Sequence, residues 1–348
     1  MAFARAVQGS NSIEGYNASL DDVVAAVEGE PTLDANEETQ RALAGYRDAM
    51  TYVLQIADDD ALALDEGLIK SLHFMMIKHD LRKNPGLWRP GDIYVRNAVS
   101  GEVVYQGPPS DDVPDLIAAM LHALRQDESP ALVKAAMAHL NLVLIHPFSD
   151  GNGRMARCLQ TLVLARDQVL APVFSSIEEH LGHNTQAYYE ILADVGAGAW
   201  HPERDARPWV HFCLRAHYSQ ILTMLGRREE IEQLWNACVA LAESHGLPQR
   251  CAAALMDAAY GLRLRRGSYR DSARSATGEE ISEQTATRDL KAMADRRLLT
   301  PLGERRARYY LAGTEPVELL ERIRASRPSQ TRNDPFAVVR ERRRLSVT

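Results

Sequence analysis

The chain contains little cysteine and no long apolar run. Its four cysteines, Cys158, Cys213, Cys238 and Cys251, form no Cys-x-x-Cys pair, so neither a disulfide framework nor a cysteine zinc site is expected. No stretch approaches the ~18 consecutive apolar residues of a membrane-spanning helix. The first residues also lack the apolar segment of a secretory signal. These absences predict a protein of a reducing compartment, the cytoplasm, with no membrane contact.

Charge is distributed unevenly along the chain. Residues 263–348 contain 20 Lys and Arg against 12 Asp and Glu, whereas the whole chain of 348 residues has a formal net charge of −7. A basic segment on an acidic protein favours a nucleic-acid contact near the C-terminal end. An ordinary solvated basic surface would give the same excess of Lys and Arg, so charge alone does not decide between it and a nucleic-acid contact.

The spacing of apolar residues predicts a mainly α fold. Leu68, Leu72 and Met75 recur at three- and four-residue intervals, as apolar residues do along most of the chain. The exception lies between Leu87 and Pro109, where apolar residues set among glycines predict a β-hairpin or an extended flap. The length is sufficient for a sizeable core and two domains.

The most informative stretch is HPFSDGNGRMAR, from His146 to Arg157, between two apolar, helix-like segments. It reads as a loop whose glycines lead into a helix N-terminus, where free N–H groups suit a phosphate. Arg154 and Arg157 are one turn apart and can both reach phosphate oxygens. Asp150 can hold a divalent metal, and His146 can accept a proton near neutral pH. This set predicts nucleotidyl or phosphoryl transfer.

These residues resemble the Fic family (Fic/Doc, or fido, domains), whose signature His-Pro-Phe-x-Asp/Glu-Gly-Asn-Gly-Arg-x-x-Arg is matched at every fixed position. The resemblance implies a helical core with a β-hairpin flap that transfers AMP from ATP to a protein hydroxyl. It implies a general base at His146 and a Mg²⁺ ligand at Asp150. The nucleotide-binding residues it implies are Gly151, Asn152, Gly153, Arg154 and Arg157. Lysine in place of Gly153 would mark a phosphate-transferring branch, so glycine favours AMP transfer.

The same resemblance extends beyond the signature. Asn184 and Tyr189 match a segment that lines the nucleotide pocket, although a tyrosine pair on a helix is otherwise a core feature. Val103, Val104 and Tyr105 match the strand of a flap that holds the target protein, although an ordinary surface hairpin has the same pattern. Ser10 to Gly15 matches an inhibitory motif. In that motif Glu14 would pair with Arg157 and Ser10 would anchor the helix, although Ser12 or Ser10 could simply cap a helix.

Residues 251–313 resemble a winged helix-turn-helix, with helical patterns followed by two short strands around a basic turn. Side chains expected to face outward on its second helix are Gln284, Thr285, Arg288 and Lys291. Arg305, Arg306 and Arg308 would lie on the wing near DNA phosphates. Such modules also serve in dimerisation and target docking, so a homodimer is an open alternative to DNA binding.

Together these patterns predict a helical N-terminal region (1–67) with the inhibitory motif, a Fic core (68–203), linking helices (204–250), the winged-helix domain (251–313) and a flexible basic tail (314–348). The function they favour is a self-inhibited, Mg²⁺-dependent protein adenylyltransferase. It would use ATP to modify a Ser, Thr or Tyr of a target protein, with the reverse reaction left open. The alternative is a DNA-binding regulator whose core senses nucleotides.

Overall fold

A computed structural model describes residues 1–30, 32–59, 61–96, 100–169, 176–304 and 308–326. The chain divides into two compact units between Leu222 and Thr223, a point that lies between the borders predicted at 203/204 and 250/251. The described residues are mainly helical with two short hairpins, which confirms the predicted fold class. None of the helices described is both long and apolar enough to cross a membrane.

The first unit (1–222) is a helical assembly with one hairpin. Its helices are α1 (Ala2–Ile13), α2 (Leu20–Glu28), α3 (Glu37–Ile56), α4 (Glu66–Ile77), α5 (Val113–Gln126), α6 (Ala131–Ile145), α7 (Asn152–Arg166), α8 (Glu178–His183), α9 (Thr185–Gly196) and the start of α10 (Arg207–Ser244). Short 3₁₀ turns occur at Leu81–Lys83 and Ser110–Asp112.

Helix α7 lies at the centre of this unit. Its residues from Arg154 to Ala165 are all buried, and apolar side chains of α3, α4, α5 and α6 contribute to the same core. A helix that is enclosed on all sides cannot move without repacking the core, because protein interiors are close-packed. The loop between α6 and α7 therefore starts and ends on fixed supports.

Helix α1 crosses α8 at very short range. A Cβ atom added at Gly9 would lie 2.4 Å from the Glu178 carbonyl oxygen, and one at Gly182 would lie 2.8 Å from the Cα of Gly9. Only glycine fits at this crossing. Because α1 ends at Ile13, the close approach fixes where the following residues, Glu14 to Tyr16, lie.

The hairpin consists of β1 (Tyr94–Arg96) and β2 (Val103–Gln106), paired antiparallel with Val95 opposite Tyr105. It falls within the span predicted from the sequence. The Gln106 amide also donates to the Gly198 carbonyl oxygen at 2.9 Å, which ties β2 to the segment after α9.

The second unit (223–348) begins within α10. It contains α11 (Cys251–Ala259), α12 (Arg266–Thr277), α13 (Glu283–Asp295), β3 (Leu299–Leu302), β4 (Tyr309–Ala312) and α14 (Thr314–Ala325). Ser282 caps α13 by accepting a hydrogen bond from the Thr285 amide, as its sequence context predicts. β3 and β4 pair antiparallel, and Leu264 bridges to Tyr310.

The start of the predicted flexible tail requires a correction. Residues 314–325 form α14, with Pro316 and Leu320 buried. Leu319 and Ile323 also pack on the core of this unit, so the apolar spacing of a helix was present in the sequence. Residues 327–348 of the predicted tail lie outside the described residues.

Candidate functional site

The signature loop is held in shape by its own side chains. The side chain of Asn152 is buried and bonds the backbone of Phe148 twice. Its Oδ1 accepts from the Phe148 backbone N–H at 2.9 Å, and its Nδ2 donates to the Phe148 backbone carbonyl at 2.8 Å. Gly151 caps α7 in the left-handed region, at φ 77°, where glycine is favoured. The side chain of Asn152 therefore shapes the loop. The N–H groups of the first turn of α7 are left for an anion, because that turn has no intrahelical acceptors.

His73, which sequence reasoning missed, supports the loop from α4. Its ring stacks on Phe148 with centroids 3.6 Å apart. Its Nδ1 lies 2.9 Å from the Gly86 amide, and its Nε2 lies 2.9 Å from the Asp150 carbonyl oxygen. The backbone N–H of Gly86 can only donate and the carbonyl oxygen of Asp150 can only accept. Nδ1 is therefore the acceptor, and Nε2 carries the proton. Burial lowers the pKa of His73 to about 4, so the ring is neutral at pH 7 and holds the loop by hydrogen bonds.

His146 ends α6 in the left-handed region, at φ 53°. Its Nδ1 lies 3.0 Å from the Val143 carbonyl oxygen, so Nδ1 carries the proton of the neutral ring and Nε2 is left with a free lone pair. Burial lowers the pKa of His146 below its usual range. A neutral imidazole with a free Nε2 is the form that accepts a proton.

Asp150 is half-buried and paired with a lysine that sequence reasoning did not single out. The Lys83 ammonium lies 2.7 Å from Asp150 Oδ2, and the Arg154 guanidinium is 3.9 Å from the same oxygen. Burial alone would raise the pKa of Asp150, but these cations lower it below its usual range. The carboxylate is therefore ionised at neutral pH and can attract a divalent cation.

The two signature arginines are buried and only partly paired. Each side chain is about 1% exposed. Nε and Nη1 of Arg154, and Nη1 of Arg157, are buried without a hydrogen-bond partner among the described residues. A buried guanidinium N–H that lacks an acceptor costs free energy. These N–H groups are therefore the strongest sign in the first unit of a missing anionic ligand.

The predicted inhibitory motif contacts the second arginine. Arg157 Nη2 donates to Glu14 Oε1 at 2.6 Å and to the Ser10 carbonyl at 3.0 Å, and Arg157 Nε donates to Ser10 Oγ at 2.8 Å. A Cβ atom at Gly153 would lie 2.4 Å from Glu14 Oε1. The carboxylate of Glu14 thus lies directly over the N-terminus of α7, where an anion would bind.

Tyr16 extends this contact to the first arginine, which sequence reasoning did not foresee. Its ring lies under the Arg154 guanidinium, 5.1 Å from the ring centroid, and its hydroxyl group interacts with Lys83. Gly15, at φ 87°, turns the chain back after α1. Residues 14–16 therefore cover both arginines, and Lys83 covers Asp150.

The remaining predicted residues of the first unit have mixed placements. Tyr189 donates its hydroxyl to the Ile13 carbonyl at 3.0 Å, beside Glu14. Asn184 is exposed and donates to the His180 carbonyl at 2.7 Å, closing the end of α8.

Val103 and Val104 are exposed on the hairpin. Tyr105 is buried, and its hydroxyl donates to the Leu144 carbonyl at 2.6 Å, which anchors the hairpin to α6. Their predicted roles toward nucleotide and target stay predictions.

In the second unit the candidate DNA-contacting side chains lie along α13 and β4. Gln284, Arg288 and Lys291 are exposed and Thr285 is half-buried, and Arg308, just before β4, is exposed. Arg305 and Arg306 lie outside the described residues. The winged-helix assignment and DNA binding stay predictions.

Comparisons with known proteins match the part of the chain that contains the signature loop. A profile of the Fic/DOC family matches residues 63–164. The protein adenylyltransferase Fic of Nematostella vectensis is 28% identical over 229 residues, which cover 62% of this chain and 47% of that protein. Protein adenylyltransferase fic-1 of Caenorhabditis elegans is 35% identical over 96 residues, which cover 27% of this chain and 16% of that one. The chain thus spans less than half the length of these curated relatives.

A solved structure gives broader coverage. A Fic family protein from Desulfovibrio desulfuricans has a TM-score of 0.54 and 25% sequence identity, covering 90% of this chain and 86% of that one. The likeness therefore includes the fold outside the matched profile.

Proposed function

We propose that this chain, in which residues 63–164 form a Fic/DOC family domain, is a self-inhibited protein adenylyltransferase. The observation that carries the proposal is a cluster of buried guanidinium N–H groups on Arg154 and Arg157 that have no acceptor in the described part of the chain. They follow closely on a neutral His146 whose Nε2 has a free lone pair. The arginines suit the phosphates of ATP, and the imidazole suits the proton of a hydroxyl. The names of the curated relatives support the same reaction.

In this reaction the oxygen of a protein hydroxyl attacks the α-phosphorus of ATP. The bond from that phosphorus to the bridging oxygen breaks, pyrophosphate leaves, and the hydroxyl proton passes to Nε2 of His146. Arg154, Arg157 and the first turn of α7 would bind the departing phosphates, which carry the growing charge. Nδ1 is already committed to the Val143 carbonyl, so the ring keeps its orientation throughout.

The donor set also fits a magnesium ion shared with the nucleotide. Among the described residues, no group of three or more His, Cys, Asp or Glu side chains could hold a metal by itself. Asp150 offers one ionised carboxylate, and Mg²⁺ is commonly held by one or two carboxylates together with substrate phosphates. When bound, the ion would neutralise phosphate charge. Asp150 would be its protein ligand, after exchanging Lys83 for the metal.

Self-inhibition follows from competition for Arg157. That guanidinium cannot bind the Glu14 carboxylate and a phosphate in the same place, and Glu14 lies over the helix N-terminus. An ATP molecule bound beside Glu14 would have to hold its phosphates elsewhere, away from in-line attack on the α-phosphorus. The intact His146 favours an enzyme over a nucleotide sensor, because a sensor needs no proton acceptor.

The test compares the full chain with its Glu14→Gly variant, using ATP labelled at either the α- or the γ-phosphate. AMP transfer labels protein only from the α-phosphate, whereas phosphate transfer labels it only from the γ-phosphate. Label should rise roughly 5- to 150-fold in Glu14→Gly, the range of a coupling of about 1–3 kcal/mol. Mass spectrometry of labelled lysate proteins then identifies the modified residue.

Two variants serve as controls. Glu128→Gln changes an exposed acid in the loop before α6 and should leave labelling at the level of the unaltered chain. Adding Arg157→Ala to Glu14→Gly should abolish the gain, because the group that Glu14 releases is then absent. Labelling from γ-labelled ATP, or none from either form, would contradict the proposed reaction.

A further inference from the structure

Arg89 is a buried arginine that sequence reasoning did not single out. Its side chain is 4% exposed, and it donates to three different carbonyl groups. Nε donates to the His146 carbonyl at 2.9 Å, Nη1 to the Gly91 carbonyl at 2.7 Å, and Nη2 to the Pro108 carbonyl. Its backbone amide donates to the Pro147 carbonyl at 2.9 Å.

These carbonyls belong to segments that are far apart in the sequence. Gly91 lies just before β1 and Pro108 just after β2, so they mark the two ends of the hairpin. His146 is the residue that ends α6. One planar guanidinium, whose donors have a fixed geometry, thus joins both ends of the hairpin to the backbone of the histidine turn.

The packing around Arg89 leaves little freedom for another arrangement. A Cβ atom at Gly107 would lie 2.9 Å from Ile93 Cγ2 and 3.4 Å from Arg89 Nη2. A buried guanidinium is costly unless its donors are satisfied. Here the three carbonyls accept its hydrogen bonds.

We infer that Arg89 is a positioning residue, which holds the hairpin and the His146 turn in one arrangement so that a hydroxyl presented along the hairpin reaches the imidazole. This inference rests on the proposed function, because the spacing between the hairpin and His146 matters only if a hydroxyl held along the hairpin must reach the imidazole. Arg89 does not touch the reacting atoms. It sets the geometry between two parts that must meet, and a misplacement of about 1 Å costs up to ~10²-fold in rate.

Arg89 has a second, electrostatic relation to His146. Burial is the main reason why the pKa of His146 is low, and the positive charge of Arg89 lowers it further, whereas Glu14 and Asp150 act in the opposite direction. Lysine at position 89 would keep the charge but could not span three carbonyls. Glutamine would lose both. The two substitutions therefore separate charge from geometry.

The experiment uses the full chain carrying Glu14→Gly, with Arg89→Lys or Arg89→Gln added. Hydrogen exchange should accelerate in the amides of both the hairpin and residues 146–151 in both variants. The pKa of His146, followed by the NMR signals of its ring, should rise in Arg89→Gln and stay in place in Arg89→Lys. AMP transfer to protein should fall roughly tenfold or more in both. Hydrolysis of ATP to AMP and pyrophosphate should fall much less, because water needs no hairpin.

The matched control is Arg166→Gln, which removes a half-buried arginine bonded to the Leu62 carbonyl at the far end of α7. It should lower the melting temperature without changing exchange in the hairpin. If the Arg89 variants fold poorly, Gly107→Ala displaces the hairpin while keeping the guanidinium, and the same selective loss is expected.

Unchanged hairpin exchange, or equal losses with protein and water as acceptor, would overturn the role of Arg89. If no variant transfers AMP, the proposed function fails, whereas the exchange and NMR measurements still decide whether Arg89 couples the hairpin to His146.

Discussion

Two buried polar clusters, one in each unit, differ in how fully their side chains are hydrogen-bonded. In the second unit the buried carboxylate of Asp289 is bonded to Arg250 at 2.7 Å and to the Tyr269 hydroxyl at 3.0 Å. In the first unit Arg154 and Arg157 are equally buried, but three of their nitrogens have no acceptor among the described residues.

This difference separates polar groups that stabilise a fold from those that await a ligand. A buried charge that is paired within the chain can be explained by folding alone. A buried donor without an acceptor lowers stability, and such groups persist where binding satisfies them. The arginines of the first unit therefore indicate its chemistry, whereas the bonded cluster of Asp289, Arg250 and Tyr269 indicates only how the second unit is held together.

The largest expected effect comes from His146, which tests whether the arginines of the first unit belong to a reaction site. In the Glu14→Gly chain, His146→Ala should reduce AMP transfer by roughly 10²- to 10⁴-fold, the usual contribution of a positioned base. ATP affinity, measured by calorimetry, should change little, because the ring bonds its own backbone and not the arginines.

The matched control is His122→Ala, which removes an exposed histidine of α5. It should transfer AMP at the rate of the Glu14→Gly chain. Equal rates in His122→Ala and His146→Ala would remove His146 from the reaction and leave the arginines as a binding site only.

The next effect concerns Asp150. In the same background, Asp150→Asn should suppress transfer and flatten its dependence on Mg²⁺, because an amide is a poorer ligand for a hard cation than a carboxylate. Titrating Mn²⁺ by electron paramagnetic resonance, in the presence of a non-hydrolysable ATP analogue, measures the metal site apart from turnover. Asp167→Asn, which alters a half-buried acid after α7 that pairs with Lys134, is the control. Superimposable Mn²⁺ titrations for the two variants would exclude Asp150 as the ligand.

Tyr16 should have a smaller effect, in the direction of activation. Its ring interaction with Arg154 is worth about 0.5–2 kcal/mol, so Tyr16→Ala should raise AMP labelling roughly 2- to 30-fold while Glu14 is still present. Tyr16→Phe keeps the ring and loses only the hydroxyl group that interacts with Lys83. Its labelling rate should therefore lie between that of the unaltered chain and that of Tyr16→Ala. Tyr218→Ala changes an exposed tyrosine of α10 and should have no effect. Slower labelling in Tyr16→Ala than in the unaltered chain would mean that Tyr16 helps nucleotide binding instead of blocking it.

Local patterns predicted the elements of the site, but not the interactions that hold it. The signature loop and its flanking helices follow from short sequence patterns, because capping and glycine geometry act over a few residues. Glu14 is predicted from the resemblance to an inhibitory motif, not from local geometry. Arg89, His73 and Lys83 carry no such pattern. Arg89 meets a carbonyl 57 residues away, and His73 meets one 77 residues away. Only the packing of α4, the hairpin and α6 brings these groups together, and spacing within one segment cannot reveal that.

The last and smallest effect concerns the second unit, where binding to DNA would sharpen the contrast by giving that unit a ligand of its own. If residues 251–313 bind DNA, the full chain should bind duplex DNA with an affinity that falls steeply with salt, since basic side chains displace counterions from phosphates. Arg308→Ala should reduce the salt slope by ~1, the value for one phosphate that is no longer neutralised. Arg288→Ala and Lys291→Ala should instead reduce the preference for a selected sequence, by about 1–3 kcal/mol for each base that is no longer read. Arg207→Ala removes an exposed arginine of the first unit and should leave both measurements unchanged. Absence of binding at low salt, together with loss of dimers on deleting residues 251–313, would assign the second unit to protein association.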